Sequence, residues 1–426
     1  EVVFTAGNNK IMTGTTTLTD ATPGSYTISA NDWKIVNFND KAYFFQRGYD
    51  PLVYDNATGL RTFTVANSGA TNATFKCHEA LAAFGRLFIV DNATDTQTIY
   101  WSDLLNGNAF SGGSSGSIDV SKAWPDGYDE VVALAAHNNA LIIFGKHSIL
   151  AYTGASSPAS MTLADTVAGV GCIDRNSVQH IGTDVLFMSQ NGLRSFGRTI
   201  QEKSMPLSDL SNNVKTELIS LIKNKTLPVA SVYSPENSFY LIAFPDQQTV
   251  YCFDLKGRLE TGAYRVTRWT SVPHKSFELK TDGTVYIGTT DGLGTYSGYA
   301  DNTTAYRFRY YSPGLTFGDP SKIKLLKKLR PTLVGAAGAT VFVKWAYDLA
   351  TDFNTYRFSV GNQVPAYFGV DEFAVGEYTG GELTTRNSVQ ATGNGSIITI
   401  GLEADINGSA LSLQEINVLA LIGKTV

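Results

Sequence analysis

One structural unit recurs through the first two thirds of the chain, and no other feature restricts the fold so tightly. Each copy has an apolar anchor, a short turn, an alternating apolar strand, a second turn and another apolar strand. The copies are Val36 with Ala42–Phe45 and Leu52–Tyr54, Leu81 with Leu87–Val90 and Ile99–Trp101, and Leu134 with Leu141–Phe144 and Ile149–Tyr152. Three more follow: Val178 with Val185–Met188 and Leu193–Phe196, Val232 with Phe239–Ile242 and Val250–Phe253, and Phe277 with Val285–Ile287 and Leu293–Tyr296. The anchors lie 45, 53, 44, 54 and 45 residues apart. Asn39-Asp40, Asn138-Asn139, Asn191-Gly192 and Asp282-Gly283 stand where hairpin turns need positive φ. The length left over in each period fits a fourth strand. Four strands in about 45 residues is the arithmetic of a β-propeller blade.

A partial unit precedes these copies, with Phe4, a turn at Asn8-Asn9, then Ile11-Met12 and Tyr26–Ile28. The expectation is therefore an all-β chain: a β-propeller of six blades, or seven, over residues 1–300. One short inserted helix is expected, capped by Ser208-Asp209 and running to about Lys225, with Leu210, Val214, Leu218, Leu221 and Ile222 on one face. After residue 300 the rhythm stops. Strands are expected at Tyr306–Tyr311, Leu325–Val334, Thr340–Tyr347, Thr355–Val360, Ser396–Ala404 and Ser412–Leu421, giving a β-sandwich-like domain over 301–426.

Composition agrees with strands and tight turns: 40 Gly, 12% aromatic and only 17% charged residues in 426. A net charge of −5 argues against binding nucleic acid through general surface charge. After residue 300, eleven Lys/Arg balance eleven Asp/Glu, so the excess acid belongs to the propeller region. No apolar run approaches a membrane span. The chain begins at Glu1 rather than Met, so the natural N-terminus is expected to be missing or cleaved, and the sequence does not bear on a signal peptide.

The sequence holds little recognisable chemistry. It has no phosphate-binding loop, no nucleophile elbow and no zinc-protease helix. The five histidines are scattered, and His137 and His180 sit beside hairpin turns, where they serve the turn. Cys77, Cys172 and Cys252 lie far apart among strand residues and read as buried free thiols. Asp91–Asp95 offers oxygen ligands without the Gly and distal Glu of a calcium loop. Asp40, Asp184, Asp246, Asp282 and Asp291 could line a propeller mouth as the acid and base of a glycosidase, but turn propensity explains them. No catalytic residue, cofactor or metal site is assigned.

The most distinctive charged feature is Lys322, Lys324, Lys327, Lys328 and Arg330, alternating with Ile323, Leu325, Leu326 and Leu329. It reads equally as a solvated edge that discourages strand pairing and as a contact for an acidic partner subunit or phosphates.

Two stretches carry a family resemblance. The first joins Ala80–Ile89, Ile99–Asp103, Val132–Leu134, Leu141–Gly145 and Gly192–Gly197. The second is Leu315-Thr316-Phe317-Gly318-Asp319-Pro320-Ser321-Lys322, then Lys327–Pro331 and Gly335. In order and architecture the chain resembles the tail nozzle proteins of short-tailed bacteriophages, the tail tubular protein B or tail stabilisation family. The resemblance implies a non-enzymatic structural virion protein in the tail, a hexameric homo-oligomer around the DNA exit channel. It implies a platform domain that docks on the tail adaptor protein, and propellers forming the distal tube. A tail fibre or the host surface would be a further contact. DNA would pass during ejection without specific binding, and the acid-rich propeller suits that role, because Lys/Arg contacts to phosphate are what make a protein hold DNA. Related chains begin with a segment that joins the platform, and the resemblance leads to the expectation that this segment is missing or shortened here. Phe317, Lys322, Lys324, Lys327, Lys328 and Arg330 are the expected assembly interface, with the adaptor or a neighbouring subunit. Replacing Lys324, Lys327 and Lys328 by Glu is expected to impair assembly without unfolding the propeller. The alternatives are a propeller enzyme acting on polysaccharide, which needs two facing carboxylates, and a monomeric propeller that binds a protein or glycan.

Overall fold

A computed structural model describes residues 2–63, 75–202, 209–270, 272–335, 337–361 and 384–425. The chain forms two compact units, Glu1–Tyr296 and Ser297–Val426. The sequence had suggested a boundary at 300/301.

The first unit is a succession of small antiparallel meanders. Sheet one is β1–β3 (Phe4–Gly7, Lys10–Thr13, Thr19–Asp20), and sheet two is β4–β7 (Lys34–Phe38, Lys41–Phe45, Leu52–Asp55, Gly59–Thr62). Sheet three is β8–β11 (Glu79–Ala83, Arg86–Val90, Thr98–Trp101, Gly116–Asp119), and sheet four is β12–β15 (Val131–His137, Ala140–Gly145, Ser148–Thr153, Thr162–Ala168). Sheet five is β16–β18 (Gln179–His180, Val185–Ser189, Gly192–Ser195), and helix α1 (Phe196–Glu202) follows it directly. Helix α2 (Lys215–Asn224) precedes sheet six, β19–β22 (Ala230–Ser234, Phe239–Phe244, Thr249–Arg258, Tyr264–Thr270). Sheet seven is β23–β25 (His274–Leu279, Val285–Thr289, Leu293–Thr295).

The packing between these sheets makes the unit a β-propeller. First strands lie beside first strands: β4 by β8, β8 by β12, β16 by β19, β19 by β23. Each apolar cluster fills the space between two successive sheets. Phe44 and Leu52 meet Ile11 between sheets one and two, Phe88 and Trp101 meet Leu134 and Ile143 between three and four, and Phe144 meets Phe187 between four and five. A blade covered on both faces needs apolar residues at every position, so its second strand reads as an unbroken run rather than an alternation. Leu141–Phe144 and Phe239–Phe244 are such runs, buried throughout. Burying a side chain the size of Phe144 stabilises by about 2–3 kcal/mol.

The expected helix lies within its expected bounds but starts later. Ser208 lies outside the described residues, and Asp209 turns its carboxylate to the amide and hydroxyl of Ser211. A short 3-10 turn at Asn212–Val214 intervenes, and regular helix begins only at Lys215. The apolar face is as expected, with Leu218 buried and Leu221, Ile222 and Val214 packed beside it. Phe196, expected to finish a strand, opens α1 instead.

The second unit is a pair of antiparallel sheets. One has the order β26 (Tyr306–Tyr311), β33 (Ile398–Ile406), β28 (Thr340–Tyr347), β29 (Asn354–Ser359). The other is built on β27 (Lys322–Gly335). It pairs along one side with β34 (Leu411–Thr425) and along the other with β30 (Thr384–Arg386), β31 (Val389–Gln390) and β32 (Asn394–Gly395). Leu326, Leu329 and Val389 of one sheet meet Val343, Trp345 and Ile400 of the other in a shared core.

Candidate functional site

Three regions gather polar groups. The first is a knot of charges held by the first strands of the propeller. Arg175 is 4% exposed, and its Nη2 donates to the Asp32 carbonyl at 2.8 Å while pairing with the Asp32 carboxylate at 3.1 Å. Asp32 precedes sheet two and Arg175 precedes sheet five, so this contact straps distant blades together. Asn176 Nδ2 donates to the same carboxylate at 3.4 Å, and His78 Nε2 stands 3.7 Å from it. Glu79, 1% exposed, takes Lys34 Nζ at 3.4 Å and the Leu134 amide at 3.4 Å. Asp91 is paired with Arg47.

The electrostatics follow from burial and from the neighbours. Burial raises the Glu79 carboxyl above the usual range, against the pull of Lys34 and Arg175. Burial and the Arg175 charge bring His78 down to about 4, although Asp32 pulls the other way. Burial acts against ionisation of Asp32, yet Arg175 and His78 hold its carboxyl below the ordinary value. Glu79 Oε2, His78 Nδ1 and Arg175 Nε and Nη1 are buried without hydrogen-bond partners.

The second region is an open cavity of about 560 Å³ between the first strands of sheets five, six and seven. Gln179, His180, Ser231, Tyr233, Phe277 and Glu278 line it. Gln179 Nε2 bridges to the Ser231 carbonyl at 3.2 Å and hydroxyl at 3.1 Å, which ties two blades at the cavity wall. Burial, with His137 nearby, lowers His180.

The third is the basic strip, which lies on β27. Its residues do not form one surface. Lys324 is fully buried, and its ammonium donates to the carbonyls of Asp319 and, at 2.8 Å, Ser396. Lys322 pairs with Asp319 at 3.4 Å. Lys327 and Arg330 are exposed and Lys328 is half-buried. Phe317 is 40% exposed in a turn where it and Gly318 have φ of 48° and 91°. Reversing the charge of Lys324 would therefore test folding rather than assembly.

The shorter motifs have local work. Asp103 takes the amide and hydroxyl of Ser114, closing the loop that begins at Asn106. That loop is fastened to sheet two by Tyr43, whose hydroxyl donates to Asn108 Oδ1 at 2.8 Å. Arg194 is buried, with Nε on the Ser189 hydroxyl at 3.1 Å. Among the turn carboxylates, Asp184 accepts from Ser195 and from the Gly197 amide, Asp246 from Thr226, and Asp282 pairs with Lys280 at 2.6 Å. None of the three cysteines forms a disulfide, and burial pushes Cys172 and Cys252 up to about 12. Among the described residues no cluster of three His, Cys, Asp or Glu is arranged to hold a metal, and no helix is long and apolar enough to cross a membrane. The charge knot escaped the sequence reading because its members are far apart in the chain; a buried Glu next to a His at the start of a first strand was the one local signal.

The fold and these regions define a class: an all-β chain with a propeller unit followed by a two-sheet unit. No family model matches the chain, and no curated protein does. Among solved structures, Hsv2 of Kluyvelomyces marxianus is similar at 10% identity, covering 61% of this chain and 72% of that one, with a TM-score of 0.35. KlHsv2 with loop 6CD replaced by a Gly-Ser linker is similar at 12% identity, covering 62% and 82%, again with a TM-score of 0.35. A superposition at that level carries no argument, and the architecture stands on the sheet order and packing described above.

Proposed function

We propose that this protein is a structural, ring-forming subunit of a virion: the tail nozzle of a short-tailed bacteriophage, docked on the tail adaptor around the DNA exit channel. The observation that carries the reading is the order of the two units. An acid-rich propeller comes first and a two-sheet domain second, with the Leu315–Lys322 stretch entering the long strand β27, where the resembling family begins its platform. The charge division supports it. Of 33 Lys/Arg and 38 Asp/Glu, eleven of each lie after residue 296, leaving 22 against 27 in the propeller unit. A surface with excess carboxylates does not retain phosphate backbones.

The test is mass in solution by light scattering, with negative-stain images of the same sample. Rings near six times 46.0 kDa are the expected result. A monomer both alone and after incubation with the adaptor ring would overturn the reading. It would favour a monomeric propeller that binds a protein or glycan, the reading to which the open cavity lined by Tyr233 and Phe277 lends support.

A further inference from the structure

We propose that the outer face of the β27–β34 pair is a docking surface for a second copy of this chain, and that it receives the acidic surface of that copy's propeller unit. This rests on the ring reading above and names the contact that builds the ring.

Register fixes which side chains share the face. Residues directly opposite in an antiparallel pair point the same way. The pairs Leu325–Leu421, Lys328–Leu419 and Arg330–Asn417 therefore form one row, while Leu326–Ala420, Leu329–Val418 and Pro331–Ile416 point into the core. Leu419 is 54% and Leu421 58% exposed. Lys327, at a bulge in the same strand, and Arg330 are exposed beside them. Lys327, Lys328 and Arg330 have no carboxylate partner among the described residues. The one acid in the row, Glu415, is already accepting from Thr332 at 3.2 Å and Asn417 at 2.9 Å.

Aliphatic side chains flanked by cations make a surface whose complement is apolar and acidic. The propeller unit carries all of the chain's net negative charge, and the second unit is neutral. The two patches differ, so the contact is head-to-tail and suited to closing a ring. The outer edge of β34 adds a second attraction. Among the described residues this 15-residue strand pairs only with β27, so its outer edge is open to another chain.

The experiment compares wild type, K327E/R330E and L419S/L421S by sedimentation at low and high salt. Lys324 is left untouched because it is a core residue. Each variant should keep the wild-type melting curve and weaken self-association at least tenfold, and wild-type assembly should weaken with salt. Hydrogen exchange on the unmodified protein gives an independent reading: amides of Leu411–Thr425 should slow at least tenfold on assembly. Rings of undiminished affinity in both variants, or unchanged exchange in β34, would overturn this proposal and leave the ring reading standing. A wild type that stays monomeric both alone and after incubation with the adaptor ring would overturn both. Intact rings with binding to anionic phospholipid vesicles that K327E/R330E abolishes would assign the face to a lipid surface instead.

Discussion

Lys324 shows how a strip of alternating charge can conceal a core residue. Its neighbours Lys327 and Arg330 reach solvent, but its own ammonium is enclosed and satisfied by two backbone carbonyls. A buried cation depends on its acceptors, and a carboxylate placed there would face carbonyl oxygens. Lys324→Glu should destabilise the second unit by about 3–5 kcal/mol. Lys324→Met, of similar length and uncharged, should cost less, because the carbonyls it strands are only part-buried and bring no unpaired charge. Urea unfolding followed through Trp345, the one tryptophan of that unit, measures both. Equal stability of Lys324→Glu and wild type would show that the ammonium is dispensable. The identity of the residue was plain in the sequence, but its direction was not. The register shifts between Lys322 and Lys324 and between Leu326 and Lys328, and these irregularities break the plain alternation that would show which lysines turn inward.

At the scale of elements, hairpins were the most legible feature, because their chemistry is local. Asn8-Asn9, Asn39-Asp40 and Asn138-Asn139 all have two consecutive positive φ values, between 46° and 59°. That is the twist a two-residue hairpin needs, and Asn tolerates it where branched residues do not. Asn138→Val should therefore lower propeller stability by about 1–2 kcal/mol, while Asn138→Gly should be nearly neutral. Thermal melts of the two variants side by side decide the point, and equal midpoints would refute it. The same local logic explains the successes and the misses elsewhere. The six expected strands of the second unit fell within a few residues of expectation because their alternation is regular, whereas the short β30, β31 and β32 had no counterpart in the expectation. The helix start failed because the Asp209 side chain engages Ser211 in a turn, a choice that depends on three atoms rather than on periodicity. A fourth strand was expected in every blade, but sheet seven has three strands, and sheet five has three because after β18 the chain coils into α1.

At the scale of the whole propeller, the charge knot was illegible because its partners lie 143 residues apart, as Asp32 and Arg175 do. It also gives the fold a dependence on pH. His78 is held at about 4 in the folded protein, against an ordinary value of 6.5, chiefly by burial and then by the Arg175 charge. Arg47 and Lys34 act in the same direction, and Asp32 against it. The unfolded chain thus binds a proton that the folded chain refuses, and stability falls as pH drops from 6.5 to 4. Asp32 does not oppose this, because its lowered carboxyl stays ionised throughout that window. Glu79 does oppose it, since its raised carboxyl gains a proton as pH falls and relieves a buried charge. His78 is 26% exposed, so its share is at most about 3 kcal/mol. Four of the five tryptophans lie in the propeller unit, so their fluorescence reports its urea unfolding. Wild type should lose stability between pH 7 and pH 4, and His78→Gln, which cannot take the proton, should lose distinctly less. The same slope in both proteins would mean that the proton is taken elsewhere, and would remove the knot as the origin of the pH dependence.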